Sequence, residues 1–296
     1  MAFSSEISTS LKHNALKLLT ELKSRTLVMR IRLHEIIMEM QELGITRNER
    51  EIFYMAVNIF KSQTAVKRLI STIASELRVS KSDLRIRNTL KGTFIGKLAF
   101  VKGPDIIEMS SCRNNPQLIP DMEGIVEVFC SYERVLVVEK DTILQRIASG
   151  IERERYLEGV LLVCGRGYPC KNTMLLLKMI EHKTAIGGLF DFDPFGIHIF
   201  CVYKYGSREA PETRVETIVR IGVCAEDILD KRIHQDGLAG LNKYDLKMVD
   251  RLMEFECFTN DPLLLKKTGK KVEMEAFLSK GRREMNHFLT KALKRI

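Results

Sequence analysis

Three carboxylates stand where long apolar runs stop. Arg134-Val-Leu-Val-Val-Glu139 is a continuous apolar run closed by Glu139, and Ala185-Ile-Gly-Gly-Leu-Phe-Asp191 closes on Asp191-Phe192-Asp193-Pro194. Asp191 and Asp193 are two residues apart, so along an extended segment their side chains face the same way. Carboxylates gathered at one edge raise one another's pKa unless a cation sits among them. Oxygen donors without neighbouring His or Cys suit Mg²⁺, which keeps waters and bridges to phosphate oxygens; Mn²⁺ is the alternative ion. An Asp-x-Asp-Pro-x-Gly turn that only caps a helix is the plainer reading of residues 191–196. Glu139 at the matching end of a second run favours metal. Lys140 is read as a partner of this acidic cluster, with a phosphate contact as the alternative.

A second group lies far upstream. On a helical wheel of residues 47–61, Ile52, Phe53, Ala56, Val57, Ile59 and Phe60 gather on one side. Tyr54 falls on the opposite side, with Arg50 one turn before it and Asn58 and Lys61 after it. A phenol aimed away from the core into cationic company suits work on an anion, and a phosphate is the obvious candidate. The other reading is a surface Tyr whose ring lies against Arg50. Gly165-Arg166-Gly167-Tyr168-Pro169 supplies a third group: backbone that can approach a ligand, a cation and a ring. A tight strand-to-helix turn explains it equally well.

The elements around these groups follow from periodicity. Residues 8–43 are expected to be helical and to end at Gly44, with a capping box at Thr46-Arg-Asn-Glu49 opening the Tyr54 helix. A third helix spans about 63–78, with Ala65, Val66, Leu69, Ile70, Ile73 and Leu77 inward. Residues 84–92 and 93–101 read as two strands of a basic hairpin around Lys91-Gly92. Three helices and a basic hairpin give the order of a winged helix-turn-helix, a CAP-like fold that lies on DNA. Turn formers fill 103–124, placed as the connection between a domain of residues 1–110 and one of 125–296. In the second, runs at 134–138, 159–164 and 185–190 alternate with helices at about 141–155 and 170–182. Strands apolar on both faces and separated by helices build a mostly parallel α/β sheet, whose ligands collect at the carboxyl ends of the strands. A helix over 272–295 closes the chain. The fold class expected is therefore α+β in two domains.

The chain of 296 residues carries a net charge of +9, and residues 11–103 hold 18 Lys and Arg against 8 Asp and Glu. A basic excess concentrated in the first third favours an anionic partner such as nucleic acid. No window is apolar enough to span a bilayer, and Met1-Ala-Phe-Ser-Ser-Glu6 has no secretory leader pattern. Seven scattered Cys without a Cys-x-x-Cys pair read as reduced thiols, several of them in strands, and argue against structural zinc. Lys266-Lys267-Thr-Gly-Lys270-Lys271 reads as a solvated basic loop, a nuclear import signal being the alternative.

Taken in order, Arg50-Glu-Ile-Phe-Tyr54, Lys91-Gly92, Val137-Val-Glu-Lys-Asp141, Gly165-Arg-Gly-Tyr-Pro169, Asp191-Phe-Asp-Pro-Phe-Gly196 and Tyr203-Lys-Tyr-Gly-Ser207 resemble the family of the DNA topoisomerase VI A subunit. That family includes its meiotic relative, sporulation protein eleven, the transesterase that makes meiotic double-strand breaks. The likeness covers about residues 46–232. It implies a Toprim domain in the second half. It makes Tyr54 the nucleophile that forms a 5′-phosphotyrosyl link and Arg50 an active-site cation. Glu139, Asp191 and Asp193 become Mg²⁺ ligands, and Lys91, Arg166 and Tyr168 contacts to double-stranded DNA. It further implies a homodimer whose active sites are shared between protomers, a topoisomerase VI B-like ATPase subunit, meiotic accessory proteins, and the nucleus. A topoisomerase VI protein that reseals its breaks is the alternative function. A DNA-binding protein with a decayed catalytic domain is a third, against which Tyr54 and the three carboxylates speak. The chain departs from the family at Phe53, Phe195 and Thr173-Met174, and at Phe192, which is expected to crowd the acidic turn.

Overall fold

The computed structural model describes residues 12, 25–87, 89–111, 115–149, 157–207, 211–229, 238–254, 261–278 and 281–296. The chain forms two compact units, Met1–Thr89 and Leu90–Ile296. No described helix is long and apolar enough to cross a membrane.

The first unit is helical: α1 (Arg25–Leu43), α2 (Glu49–Met55), α3 (Val57–Phe60) and α4 (Gln63–Leu77). The expected start of the first helix, with Leu16, Leu19 and Leu22, lies outside the described residues. Leu33, Ile36, Ile37 and Met40 of α1 pack with Ile52, Phe60, Val66, Ile70 and Ile73. Leu77 is only partly buried, and Val57, expected inside, is exposed because the Tyr54 helix breaks at Ala56 (φ −153°, ψ 54°). The capping box forms two residues later than expected. Asn48 Oδ1 accepts from the Glu51 amide at 2.9 Å, and Glu51 Oε2 accepts from the Asn48 amide at 3.0 Å. The cause is a short parallel ladder of β1 (Arg47–Asn48) with β2 (Ile86–Arg87), which keeps residues 47–48 extended and so denies Thr46 the cap.

The hairpin expected around Lys91-Gly92 does not form. Leu84 and Ile86 are buried in the helical core instead, and the hairpin lies further on, between β3 (Thr93–Lys102) and β4 (Asp105–Ser111). Gly103 (φ +59°) gives its tight turn the left-handed residue it needs, and Pro104 follows with a fixed φ. The boundary therefore falls at Thr89/Leu90 and not at 103–124. Within that stretch β4 and β5 (Gln117–Leu118) both pair with β3.

The second unit is built on a sheet of order β10-β9-β7-β8-β3-β4, with β5 and β6 (Ile125–Phe129) also on β3. Its centre, β7 (Arg134–Val138), β8 (Val160–Cys164), β9 (Ala185–Leu189) and β10 (Val219–Gly222), is parallel; β3 joins it antiparallel. Alternate residues feed two cores: Leu136, Val138, Leu162 and Cys164 on one face, and Val135, Val137, Leu161 and Val163 on the other. This double burial is why the strands read as unbroken apolar runs. Val138 is level with both Cys164 and Leu189, so the three strands stop together. Helices α5 (Asp141–Ala148), α6 (Lys171–Ile180) and α7 (Pro194–Tyr205) follow β7, β8 and β9. The final segment comprises α8 (Ala225–Leu229), β11 (Ala239–Gly240), α9 (Lys243–Met253), α10 (Asp261–Thr268), β12 (Lys270–Lys271), α11 (Met274–Leu278) and α12 (Arg282–Leu293). The basic stretch 266–271 is not a loop: it ends α10 and forms β12 against β11, with Lys271 Nζ 2.8 Å from Asp245. Of the five described Cys, none in a disulfide, only Cys164 lies in a strand.

One buried group makes the first unit sensitive to pH. His34 is buried between α1 and α4, donates from Nδ1 to the Arg30 carbonyl at 2.8 Å, and its Nε2 has no partner among the described residues. Burial holds its pKa below the ordinary value, and the neighbouring Arg30 cation adds to this against Glu76. The unfolded chain therefore takes up the proton first. Stability from this group is complete above about pH 6.5 and falls as the pH drops below it. Hydrogen exchange of the α1 and α4 amides is expected to quicken between pH 7.5 and 5.5, after correction for intrinsic rates. His34→Leu is expected to flatten that change.

Candidate functional site

The common stopping level of β7, β8 and β9 puts Glu139, the Gly165–Tyr168 loop and Asp191 on one edge of the second unit. Glu139 is fixed to its neighbour strand. Its amide donates to the Leu189 carbonyl at 3.2 Å, and its Oε2 accepts from the Asp191 amide at 3.1 Å. Asp191 is buried; Oδ1 accepts from the Met274 amide at 2.8 Å and Oδ2 lies 2.8 Å from Lys140 Nζ. Asp193 caps α7, accepting from the Gly196 amide at 2.6 Å. A side chain at Gly196 would collide with the Asp191 carbonyl oxygen, so the turn closes only around glycine. The helix-cap reading of this turn is thus correct for Asp193 and incomplete for Asp191.

The electrostatics follow from burial. Glu139 is pushed up to about 7, first by burial and then by the charge of Asp191. Burial also raises Asp191, against the hydrogen bonds from Lys140 and Met274, and raises Asp193, against its bond from Gly196. Burial works against the Lys140 charge, but its hydrogen bonds to Asp191 and Glu275 prevail and hold its pKa above the ordinary value. An all-oxygen set whose members raise one another fits a hard divalent cation. Among the described residues no three His, Cys, Asp or Glu side chains enclose an ion by themselves. Mg²⁺ needs no such cage, because it retains several waters.

Phe192 does not crowd the turn. Alternation along the extended segment sends its ring into the core, away from the two carboxylates, where the Arg220 guanidinium lies 6.0 Å from the ring centroid. Backbone bonds of 2.9 Å in both directions tie Phe192 to Val272.

Beside the carboxylates, Gly167 donates its amide to the Glu139 carbonyl at 2.8 Å. Arg166 adopts a left-handed φ of 54° and reaches Asp141 from Nε at 3.3 Å. The Tyr168 hydroxyl shares a 2.7 Å hydrogen bond with His198 Nδ1, and Lys91 Nζ donates to the Tyr168 carbonyl at 3.0 Å. Lys91, expected in a wing, thus belongs to the second unit and is joined to Tyr168.

Tyr54 and Arg50 lie on the first unit. Tyr54 is 55% exposed, as its wheel position required. Arg50 Nη2 donates to its hydroxyl at 3.4 Å while Cζ stands 5.6 Å from the ring centroid. The guanidinium therefore both covers the ring and touches the phenolic oxygen.

Several residues of this edge carried no strong sequence signal. Arg220 and Asp261 form a buried ion pair; Arg220 Nη2 also donates to the Asp191 carbonyl at 2.9 Å, and Asp261 Oδ1 accepts from the Ala225 amide at 2.9 Å. A lone charge inside the strand Val219-Arg-Ile-Gly222 was the available clue. His198 likewise interrupts the apolar helix 194–205. Glu273 and Glu275, 3.4 and 3.0 Å from Lys140, had no local pattern to reveal them.

The chain matches the family model for the Toprim domain of the topoisomerase 6 A subunit and Spo11 over residues 134–293, and the model "Type IIB DNA topoisomerase" over residues 25–86. It is 63% identical to the "Probable meiosis-specific protein SPO11 homolog" of Encephalitozoon cuniculi, over 99% of this chain and 97% of that protein. It is 30% identical to the "Meiotic recombination protein SPO11" of Mus musculus, over 73% of this chain and 56% of that protein. Identity to the "Meiotic recombination protein rec12" of Schizosaccharomyces pombe is also 30%, over 78% and 67%. A Toprim domain is a divalent-metal-binding domain, and the topoisomerase family acts on DNA. The acidic edge lies inside the matched Toprim segment and the Tyr54 helix inside the matched topoisomerase segment, and the chain belongs to the family of Spo11 and the topoisomerase VI A subunit.

Proposed function

We propose that this chain initiates meiotic recombination by cutting double-stranded DNA through transesterification. The observation that carries this reading is the exposed Tyr54 phenol under the Arg50 guanidinium, 3.4 Å from nitrogen to oxygen, in a chain of this family. The Tyr54 hydroxyl gives up its proton and its oxygen attacks a backbone phosphorus. A phosphotyrosyl ester forms to the 5′ side as the bond to the 3′ oxygen breaks, and that oxygen leaves as a hydroxyl after gaining a proton. One phosphoester replaces another, so no water is consumed. Arg50 stabilises the charge on the phenolate and on the five-coordinate phosphorus.

Glu139, Asp191 and Asp193 are the residues that would hold Mg²⁺ or Mn²⁺, which when bound offsets the negative charge of phosphate oxygens. Lys91, Arg166 and Tyr168 hold the duplex near this edge. The helices α2 and α4 lie on DNA as a helix-turn-helix, without a wing at Lys91-Gly92. Family resemblance supports a dimer in which Tyr54 of one protomer serves the acidic edge of the other. It also supports two kinds of partner in the nucleus, meiotic accessory proteins and a topoisomerase VI B-like ATPase subunit. The meiotic relatives favour a cut over strand passage with resealing.

Tyr54→Phe is expected to abolish the covalent 5′ DNA–protein adduct, read on denaturing gels with end-labelled duplex, while duplex binding persists. An adduct of undiminished yield in that variant overturns the proposal. Arg50→Ala is expected to lower the rate of adduct formation by about 10²–10³-fold, the loss typical of one transition-state donor. Lys91→Ala is expected to weaken binding evenly across sequences and to lessen the slope of log affinity against log salt by about one, measured by fluorescence anisotropy.

A further inference from the structure

Among the described residues, Lys140 is the cation of the acidic edge whose ammonium touches a buried carboxylate of the turn. Its Nζ lies 2.8 Å from Asp191 Oδ2, and on the other side 3.0 Å from Glu275 Oε2 and 3.4 Å from Glu273 Oε2. The two ends of this bridge differ. The Asp191 side chain is 4% exposed, whereas Glu275 and Glu273 are 43% and 62% exposed. Thr142 Oγ1 donates to Glu275 Oε1 at 3.3 Å and so holds that carboxylate in reach. The Met274 amide occupies Asp191 Oδ1 from the same segment. Of the two Asp191 oxygens, the one a divalent ion would take is therefore the one bonded to Lys140.

Two cations cannot share that oxygen at contact distance without strong repulsion. A lysine side chain has enough rotatable length to move its charge a few ångströms with the backbone fixed. We propose that Lys140 is a resident counter-ion that competes with the divalent metal for Asp191, and that Glu273 and Glu275 form the seat to which its ammonium shifts when metal binds. Lys140 thereby sets how much divalent cation the site requires, and Glu273 and Glu275 lower that requirement by drawing the lysine away. This rests on the reading of Glu139, Asp191 and Asp193 as metal ligands.

The test is Mn²⁺ binding to the full chain without DNA, followed by electron paramagnetic resonance of the free ion. Lys140→Met keeps length and removes charge. It is expected to tighten Mn²⁺ binding about tenfold, the scale of one unit charge at contact in a partly solvated site. Glu273→Gln with Glu275→Gln alters exposed residues and leaves Lys140 with Asp191 alone; it is expected to weaken Mn²⁺ binding severalfold. Unchanged or weaker binding in the lysine variant overturns the proposal, as does unchanged or tighter binding in the double glutamine variant. If the unsubstituted chain binds Mn²⁺, Glu139→Gln abolishes that binding and Lys140→Met leaves it unaltered, the counter-ion role alone falls. If the unsubstituted chain binds no Mn²⁺, the metal reading of the acidic edge falls with it.

Discussion

A buried carboxylate at the end of a parallel strand is the constraint on which this fold's second unit depends. Removing the Asp191 charge from water is costly unless hydrogen bonds and opposite charge replace the solvent. The chain supplies replacements from three directions: the Met274 amide, the Lys140 ammonium, and Arg220 on the backbone carbonyl. Each comes from a different element, so the carboxylate's position depends on β7, β10 and the segment leading into α11 being in register at once. The same demand explains why Gly196 stands against the Asp191 carbonyl, since α7 must begin with no side chain in the way.

The Arg220–Asp261 pair extends that dependence to the last third of the chain. A buried ion pair is weak as a source of stability, because desolvation offsets much of its attraction, yet breaking one partner leaves an unpaired charge inside. Asp261 also accepts from the Ala225 amide, so one carboxylate orders both the exit of β10 and the start of α10. The two-way backbone bridge between Phe192 and Val272 acts on the same turn. Residues far apart in sequence thus converge on a stretch of three residues that ends a strand.

Much of this was legible in the sequence for a physical reason. Double burial of β7, β8 and β9 forces every position to be apolar, so a polar residue at the end of such a run marks the edge where solvent or a ligand begins. Glu139, Asp191 and Asp193 could be placed together on that basis alone. Tyr54 was legible because helical periodicity assigns its face independently of tertiary contacts. What failed depended on pairing. Residues 84–87 have the composition of a strand, and Ile86–Arg87 form one, but with Arg47–Asn48 and not with 93–101. That choice moved both the capping box and the domain boundary. Lys140 and Glu275 are 135 residues apart, and no local pattern encodes such a contact.

The two units also give their tyrosines different electrostatic surroundings. Tyr168 stands at the acidic edge, where burial first and then the charges of Asp193 and Glu139 hold its phenol above the ordinary pKa. Ionising it there would add a fourth negative charge to an edge that already raises Glu139 to about 7. Such a phenol is suited to stay protonated and to bond through its oxygen, as it does to His198. Tyr54 has the opposite surroundings: it lies in the first third of the chain, where Lys and Arg exceed Asp and Glu 18 to 8 over residues 11–103, and its nearest cation touches its oxygen. A phenol and carboxylates oppose each other electrostatically when close, because carboxylates resist the loss of the phenol's proton. Tyr54 belongs to the first unit and Tyr168 and the three carboxylates to the second, so each phenol takes its surroundings from its own unit.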